Sequence, residues 1–358
     1  MRLKRKLQPV FFTMALFVTL VTLTHNMASV PGITSSTGST SPEVHMIALR
    51  KYYTPSKYTL ISLNHAFILT NKHICKKVKP YLIIMVPSKE SHFEERQALR
   101  ETFTALSNDK ISQVNNVSID FITRVVFVIG KSMDADIEMK VYKENERNRD
   151  IVQIDMVDNY YNLTLKVLMA LKWVNLYCPH AKYILKSDDD VFVHIGNLLD
   201  QIHSVEHSAN GNIFGNLLNN SEEAQVNRGE TKTSVTYDEY PIEILPPYSQ
   251  GTSYTLTNDL VGKILKTAPY LPYLHLEDVF ITGIIAGQIQ SAKLVMLNKT
   301  SHWRDETPNP CWFVQTNQLA KSAMTPNAIR KTWNALMNPL RYCRNSTYVV
   351  QDKLKPET

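Results

Sequence analysis

Three consecutive carboxylates, Asp188-Asp189-Asp190, stand between the apolar segments Tyr183-Ile184-Leu185 and Val191-Phe192-Val193. Like charges set between hydrophobic runs repel one another and are costly to strip of water. A divalent cation removes that cost. Hard ions such as Mg²⁺ and Mn²⁺ take oxygen ligands, commonly one or two carboxylates completed by substrate phosphates. The pattern predicts a strand that ends in a metal-diphosphate site, against the plainer reading of an exposed acidic turn.

The surrounding chain supplies the strands. Tyr81 to Val86 is a continuous apolar run, as a parallel strand buried on both faces requires. A helix is expected over Phe93 to Ala105, a strand over Phe121 to Ile129, a polar helix over Asp134 to Asn148 and a strand over Ile151 to Ile154. Val167, Ala170, Leu171 and Val174 fall on one helix face, and Pro179 ends that helix. Beyond the acidic cluster, a helix is expected over His194 to His207, strands over Asn212 to Leu218 and Tyr248 to Leu256, and a helix over Asn258 to Thr267. The polar stretch Ser221 to Glu239 reads as a mobile loop over the site. Alternating strands and helices predict an α/β fold with a mostly parallel central sheet flanked by helices. Ligands of such sheets bind beyond the carboxyl ends of the strands, where the cluster lies.

The net charge of +6 is modest, and Arg2, Lys4, Arg5 and Lys6 carry much of it. No arginine-rich stripe with interleaved aromatic residues follows, so no nucleic-acid partner is expected. The basic cluster precedes the apolar stretch Val10 to Leu23. A cleaved signal peptide and an uncleaved signal anchor both fit it, and the anchor is the preferred reading. The expected organisation is a cytoplasmic tail over 1–9, a signal anchor over 10–25, a stem over 26–75 and a lumenal catalytic domain over 76–358. Both readings place the catalytic part in the secretory lumen. Sequons for N-glycosylation at Asn116, Asn162, Asn219, Asn298 and Asn345 agree with that. The four cysteines suit two disulfides. Of the three possible pairings, Cys75–Cys178 with Cys311–Cys343 is expected. None has the spacing of a zinc site.

Several other residues suit chemistry at the acidic cluster. Glu277-Asp278 precedes an apolar run and reads either as a helix cap or as a carboxylate that takes a proton from an attacking hydroxyl. Arg96 and Arg100 share a helix face and suit phosphate oxygens, although Glu94, Glu95 and Glu101 offer ordinary ion pairs. Pro246 to Tyr254 mixes aromatic rings with Gly251, a combination that suits a sugar face and close backbone approach, or a plain strand and turn. His302 is a candidate imidazole ligand.

Taken in order, these segments resemble the β-1,3-galactosyltransferases, grouped as glycosyltransferase family 31. Arg96 to Phe103 resembles an Arg-x-x-Ile-Arg-x-Thr-Trp pattern, and Phe127 to Gly130 a Phe-x-x-Gly strand. Asp150 to Lys166 is similar to an Asp-Ile-x-x-x-Asp-Phe-x-Asp-x-Tyr-x-Asn-Leu-Thr-x-Lys block. Lys186 to Val193, Tyr248 to Tyr254 and Glu277 to Gly283 resemble Lys-x-Asp-Asp-Asp-x-Phe-Val, Tyr-x-x-Gly-x-x-Tyr and Glu-Asp-Val-x-x-Gly. Phe103 stands where the family usually has Trp, Ser249 where many members have Cys, and no clear Val-His pair appears near the C-terminus.

The resemblance implies a glycosyltransferase-A fold, a single-pass type II Golgi membrane protein and Mn²⁺-dependent, inverting transfer from a UDP-sugar to a glycan acceptor on protein or lipid. On that expectation Asp190 holds the metal, with His302 as the fallback imidazole. Asp188 and Asp189 lie nearer the sugar-nucleotide, Arg96 and Arg100 bind the donor, and Asp278 is the base. UDP-galactose is the expected donor. UDP-GlcNAc or UDP-GalNAc is the alternative, and a decayed glycan-binding protein is a further reading. A calcium-binding protein fits poorly, because Asp188 to His194 lacks the alternating Asp and central Gly of an EF-hand loop.

Overall fold

Long apolar runs separated by amphipathic stretches assemble into one eight-stranded sheet covered on both faces. The computed structural model describes residues 51–76, 78–107, 113–114, 117–118, 121–205, 210–219, 224–297, 300–301, 309–316 and 318–344. The expected tail and signal anchor, the first part of the stem, and Asn116, Asn298, His302 and Asn345 lie outside these described residues. Among the described residues, no helix is long and apolar enough to cross a membrane.

The sheet strands are β1 (Phe67–Leu69), β2 (Leu82–Pro87), β3 (Thr123–Lys131), β4 (Ile151–Val157), β5 (Tyr183–Ser187), β6 (Asn212–Leu218), β7 (Tyr248–Thr257) and β8 (Lys293–Met296). Their order is β1-β4-β3-β2-β5-β7-β6-β8. Strands β4, β3, β2 and β5 run parallel. Strand β7 joins that block antiparallel to β5, with Tyr254 opposite Lys186. Side chains alternate across the pleat. Ile83 and Met85 of β2 enter one core, and Leu82, Ile84 and Val86 enter the other.

The first core is closed by helices α3 (Leu163–Tyr177) and α5 (Asp259–Thr267), and the second by α1 (Phe93–Ser107), α4 (Ile195–Val205) and α6 (Pro326–Met337). Between α1 and α3 lies the polar helix α2 (Ala135–Asn148), capped by Asp134. Helix α3 is buried around most of its circumference, because it lies between the sheet and α5. Sequence periodicity predicts a one-sided helix there, since it registers one neighbour rather than two. Phe103 is fully buried in the second core.

One buried ion pair braces the carboxyl ends of the parallel strands. Lys166 of α3 donates to the Asp158 carboxylate (2.5 Å) and to Ser88 O (2.9 Å), while Asp158 accepts from Gly130 N (2.8 Å). The exits of β2, β3 and β4 therefore share one anchor. Single charges do not persist in such an interior, and pairing with hydrogen bonding is what makes these two tolerable.

The expected stem boundary at 75 is too late. Tyr53 and Ile61 are buried in the first core, and Ser56 and Leu60 donate backbone hydrogen bonds to Tyr270 and Pro269. Strand β1 pairs with β4. Described residues from 51 onward thus belong to the catalytic body, because their apolar side chains complete its core. Disulfides join Cys75 to Cys178 and Cys311 to Cys343, the same pairs expected from the sequence.

The first of these disulfides ties the start of the body to the end of α3 across 103 residues. Replacing both Cys75 and Cys178 by Ser is expected to lower unfolding free energy by roughly 3–5 kcal/mol, chiefly by freeing the unfolded chain. Urea denaturation of the two proteins checks this.

Candidate active site

Backbone contacts hold the acidic turn from both sides. Strand β5 ends at Ser187, and Asp188 N–H then donates to Thr252 O on β7 (3.0 Å). Phe192 and Val193 pair antiparallel with Lys321 and Ala320. His194 N–H donates to Leu319 O (2.8 Å), and Met324 N–H donates to Asp190 O (2.9 Å).

The three carboxylates have different environments. Asp188 accepts from the Lys186 ammonium (2.5 Å). Asp189, expected near the sugar-nucleotide, faces into the fold, where it accepts from Ser88 Oγ (2.6 Å) and meets His92 Nδ1 at 2.9 Å. Burial would raise its pKa, but the hydrogen bonds from His92 and Ser88 outweigh burial and hold it low. Asp190 reaches solvent and has no side-chain hydrogen bond or ion pair among the described residues. Partial desolvation, then the charges of Asp188 and Asp189, push it up to about 6.

Lys186 brings the second acidic pair to this turn. Its ammonium lies 3.4 Å from Glu277 Oε2 and also donates to Gly251 O. Burial disfavours its charge, but Asp188 and Glu277 more than offset this, so its pKa is raised. Glu277 also accepts from the buried Tyr254 hydroxyl (2.5 Å). Burial, opposed by Lys186, pushes Glu277 up to about 7.

Asp278 heads the π-helical turn Val279–Ile285, accepting from Val279 N (2.9 Å) through one oxygen and from Gly251 N (2.8 Å) through the other. Burial raises its pKa against those two bonds. Gly251 is required for this approach, since a Cβ there would stand 2.8 Å from Asp278 Oδ2. The close approach suggested by this glycine is made by the Asp278 carboxylate.

Further groups at the site come from the Asp150 to Lys166 block and from the segment read as a loop over the site, neither of which marks them as site residues in sequence. Tyr160 follows β4, and burial together with Asp278 and Asp188 pushes its hydroxyl up to about 12. Tyr161 beside it is exposed. Lys232 lies 4.9 Å over the Tyr160 ring. By contrast, Tyr248 and Tyr254 are buried in β7, so the aromatic faces expected there are inside the protein.

Neither arginine is placed to grip a donor phosphate. Arg96 is fully buried, bonded to Glu144, Ser88 Oγ, Lys89 O and Glu90 O. Arg100 pairs with Asp150 (2.8 Å) and Glu144 (2.7 Å). Carboxylates distant in sequence engage both guanidinium groups, and for Arg96 the Ser88 hydroxyl and two backbone carbonyls take the remaining donors. Arg96 acts on the site through Ser88, which donates to Asp189, and through its own charge, which helps to hold the Asp189 carboxyl low.

Two of the expected sequons are described: Asn219 is exposed, whereas the Asn162 amide donates to Val157 O (3.0 Å). No group of three or more His, Cys, Asp or Glu is gathered for a metal among the described residues. The fit is instead that of an oxygen-rich ion site completed by substrate: Asp190 has an unpartnered carboxylate, and the adjacent Asp188 is bonded through one oxygen.

Comparison with known proteins places this geometry in context. A family model described as galactosyltransferase matches residues 94–295. Beta-1,3-galactosyltransferase 1 of Homo sapiens is 31% identical over 252 residues, covering 69% of this chain and 74% of that protein. Beta-1,3-galactosyltransferase 2 of Homo sapiens is 29% identical over 290 residues, covering 80% and 65%. Among solved structures, the galactosyltransferase LgtC with donor and acceptor sugar analogs is 11% identical and gives a TM-score of 0.35 over 72% of this chain and 99% of that one, a superposition too loose to argue from.

The Glu277 environment has a measurable consequence. Its carboxyl keeps a proton up to about pH 7 in the folded protein, against an ordinary value of 4.5. The folded state binds more protons across that window, so stability falls as pH rises through it. Glu277→Gln, which keeps an acceptor for Tyr254, is expected to reduce the fall. Urea midpoints at several pH values in metal-free buffer test it, and an unchanged slope would remove Glu277 as the cause.

Proposed function

The chain belongs to the galactosyltransferase family, and from that premise we propose that it transfers galactose from UDP-galactose to a glycan hydroxyl in β-1,3 linkage with inversion. That it is a glycosyltransferase using a UDP-sugar follows from the family. One observation supports the finer reading most directly. The two acidic segments meet at a single buried ammonium, at the carboxyl end of the parallel strands.

Asp278 is the proton acceptor. Both of its oxygens are oriented by backbone N–H groups, which fixes the carboxylate without neutralising it. It takes the proton of the attacking hydroxyl as the new bond forms at the anomeric carbon. Attack opposite the departing diphosphate converts an α-linked donor into a β-linked product. Lys186 and Glu277 hold Asp188 and the base segment in one arrangement, so donor and acceptor meet in line. Asp190 and the neighbouring Asp188 are the residues proposed to hold manganese. Bound there, manganese would supply Lewis-acid stabilisation of charge on the leaving diphosphate.

The proposed setting is the Golgi membrane. Residues 10–25 anchor the chain, the catalytic body is lumenal, and the acceptor glycan is on protein or lipid. The two disulfides and the sequons suit that oxidising, glycosylating compartment.

Asp278→Asn is expected to lower turnover by about 10²–10⁴-fold, the usual contribution of a general base. Asp190→Ala is expected to abolish manganese-dependent turnover, and both variants should fold normally. UDP release from purified protein across a panel of UDP-sugars measures these effects. Normal turnover in either variant would refute its role, and release from UDP-GlcNAc alone would change the donor.

A further inference from the structure

Away from the acidic turn, a groove lies between helices α1 and α2. Its deep end is a cavity of about 810 Å³, lined by Arg124 at the start of β3, by Asp150 just before β4 and by Lys76 on the facing wall. A hollow of about 430 Å³ continues it between the helices, and Gln97, Arg100, Arg147 and Asn148 line both. The acidic turn follows the carboxyl end of β5, which runs parallel to β3 and β4. The deep cavity therefore lies at the opposite end of the sheet.

The groove is unevenly charged. Its four acids are all engaged by arginines: Arg330 meets Glu94 (3.3 Å) and Glu101 (2.5 Å), Arg96 and Arg100 each meet Glu144 (2.7 Å), and Arg100 meets Asp150 (2.8 Å). Lys76, Lys140, Lys143, Arg147 and Arg149 line the same groove, and their side chains make no hydrogen bond or ion pair among the described residues. Lys140, Lys143 and Arg147 fall on one face of α2 and span roughly 10 Å of its axis. Arg149 ends that helix at φ 54°, in the left-handed region where glycine or asparagine is usual. A cation at a helix C-terminus answers the macrodipole, but that attraction fades within the last turn and does not account for Lys76, Lys140 or Lys143. Like charges along one concave wall repel one another, and an anion set between them relieves that repulsion.

Shape and lining select the kind of anion. The deep cavity is lined by no aromatic ring among the described residues, and Phe93 in the outer hollow has one face taken by Arg96 and packs on the second core. Nucleic-acid bases therefore find no stacking platform. A flat bilayer would meet only the rims, whereas Arg100 and Asp150 lie buried on the floor. A narrow chain with charges at intervals can follow the groove from end to end. We propose that the groove binds an acidic glycan chain bearing sulfate or carboxylate groups. Arg147 and Arg149 offer guanidinium forks to those oxygens, and the lysines supply point charges along the chain. This site is independent of the transfer reading, because its lining includes no residue of the acidic turn or of the Glu277-Asp278 strip.

The experiment titrates full-length protein calorimetrically with a heparin-derived hexasaccharide, which carries both groups, at low and at physiological salt. Wild type should bind it, more weakly as salt rises. Lys143→Gln combined with Arg147→Gln is expected to weaken binding by about tenfold, and Lys76→Gln on the facing wall by about threefold, the scale of one or two exposed charged contacts. Lys57→Gln combined with Lys266→Gln removes the same charge from exposed positions outside the groove and should leave affinity unchanged. Melting temperatures should match, since the substituted side chains are exposed and unpartnered. Absence of binding by wild type at low salt would overturn the proposal. So would an equal loss in the Lys57 and Lys266 variant, which would show a response to net charge alone. Binding that survives the groove substitutions would overturn it by placing the anion elsewhere, as on the basic cluster Arg2 to Lys6. Capture by phosphatidylserine vesicles without affinity for the hexasaccharide would overturn it in favour of a membrane surface.

Discussion

The site depends on the buried ammonium of Lys186. Asp188 follows strand β5 and Glu277 precedes the helical turn Val279–Ile285, far apart in the chain, and the buried Glu277 is tolerated at its depth because a counter-charge meets it. Lys186 meets both and reaches Gly251 O on the neighbouring strand as well. Its position follows from β5 running antiparallel to β7, which sets Lys186 opposite Tyr254, whose hydroxyl holds the other oxygen of Glu277. The two acidic segments act as one unit because one strand pairing brings them together. Removing the ammonium would leave the buried Glu277 carboxyl without its counter-charge, whereas removing one carboxylate would leave the lysine a second partner.

The sheet is also braced at its exits. Lys166 and Asp158 join the ends of three parallel strands, and Arg96, through Ser88, supports the carboxylate of Asp189. Charged residues that look like ligands in a linear reading are therefore divided between two tasks. Some hold the strand ends in place. Asp190 reaches solvent, and Asp278 is held by backbone N–H groups alone.

That division explains what was legible in the sequence. Strand and helix positions follow from apolar runs and local caps, which are short-range properties, and the acidic turn and the Glu277-Asp278 pair are visible as charge set against hydrophobic context. The partners of Arg96 and Arg100 are Glu144 and Asp150, contributed by helix α2 and the start of β4, and no spacing rule connects them. Asp189 looks equivalent to its neighbours until the direction of each carboxylate is known. Tyr160 falls on the tyrosine of the Asp150 to Lys166 block and Lys232 in the segment read as a loop over the site, but their meeting there comes from folding across the sheet and from the anchoring of that segment. Residues 51–75 read as a stem because their few apolar side chains are scattered, yet Tyr53 and Ile61 fill gaps left by distant elements.

The C-terminal segment supports the site from beyond the span that the family model matches. The family match stops at residue 295, yet Leu319, Ala320, Lys321 and Met324 supply the backbone partners that fix the chain on and just after the acidic turn. The shortest piece that keeps the backbone partners of the turn is therefore longer than the matched span. A fragment trimmed at the alignment limit would keep every named acid and lose the scaffold that aims them.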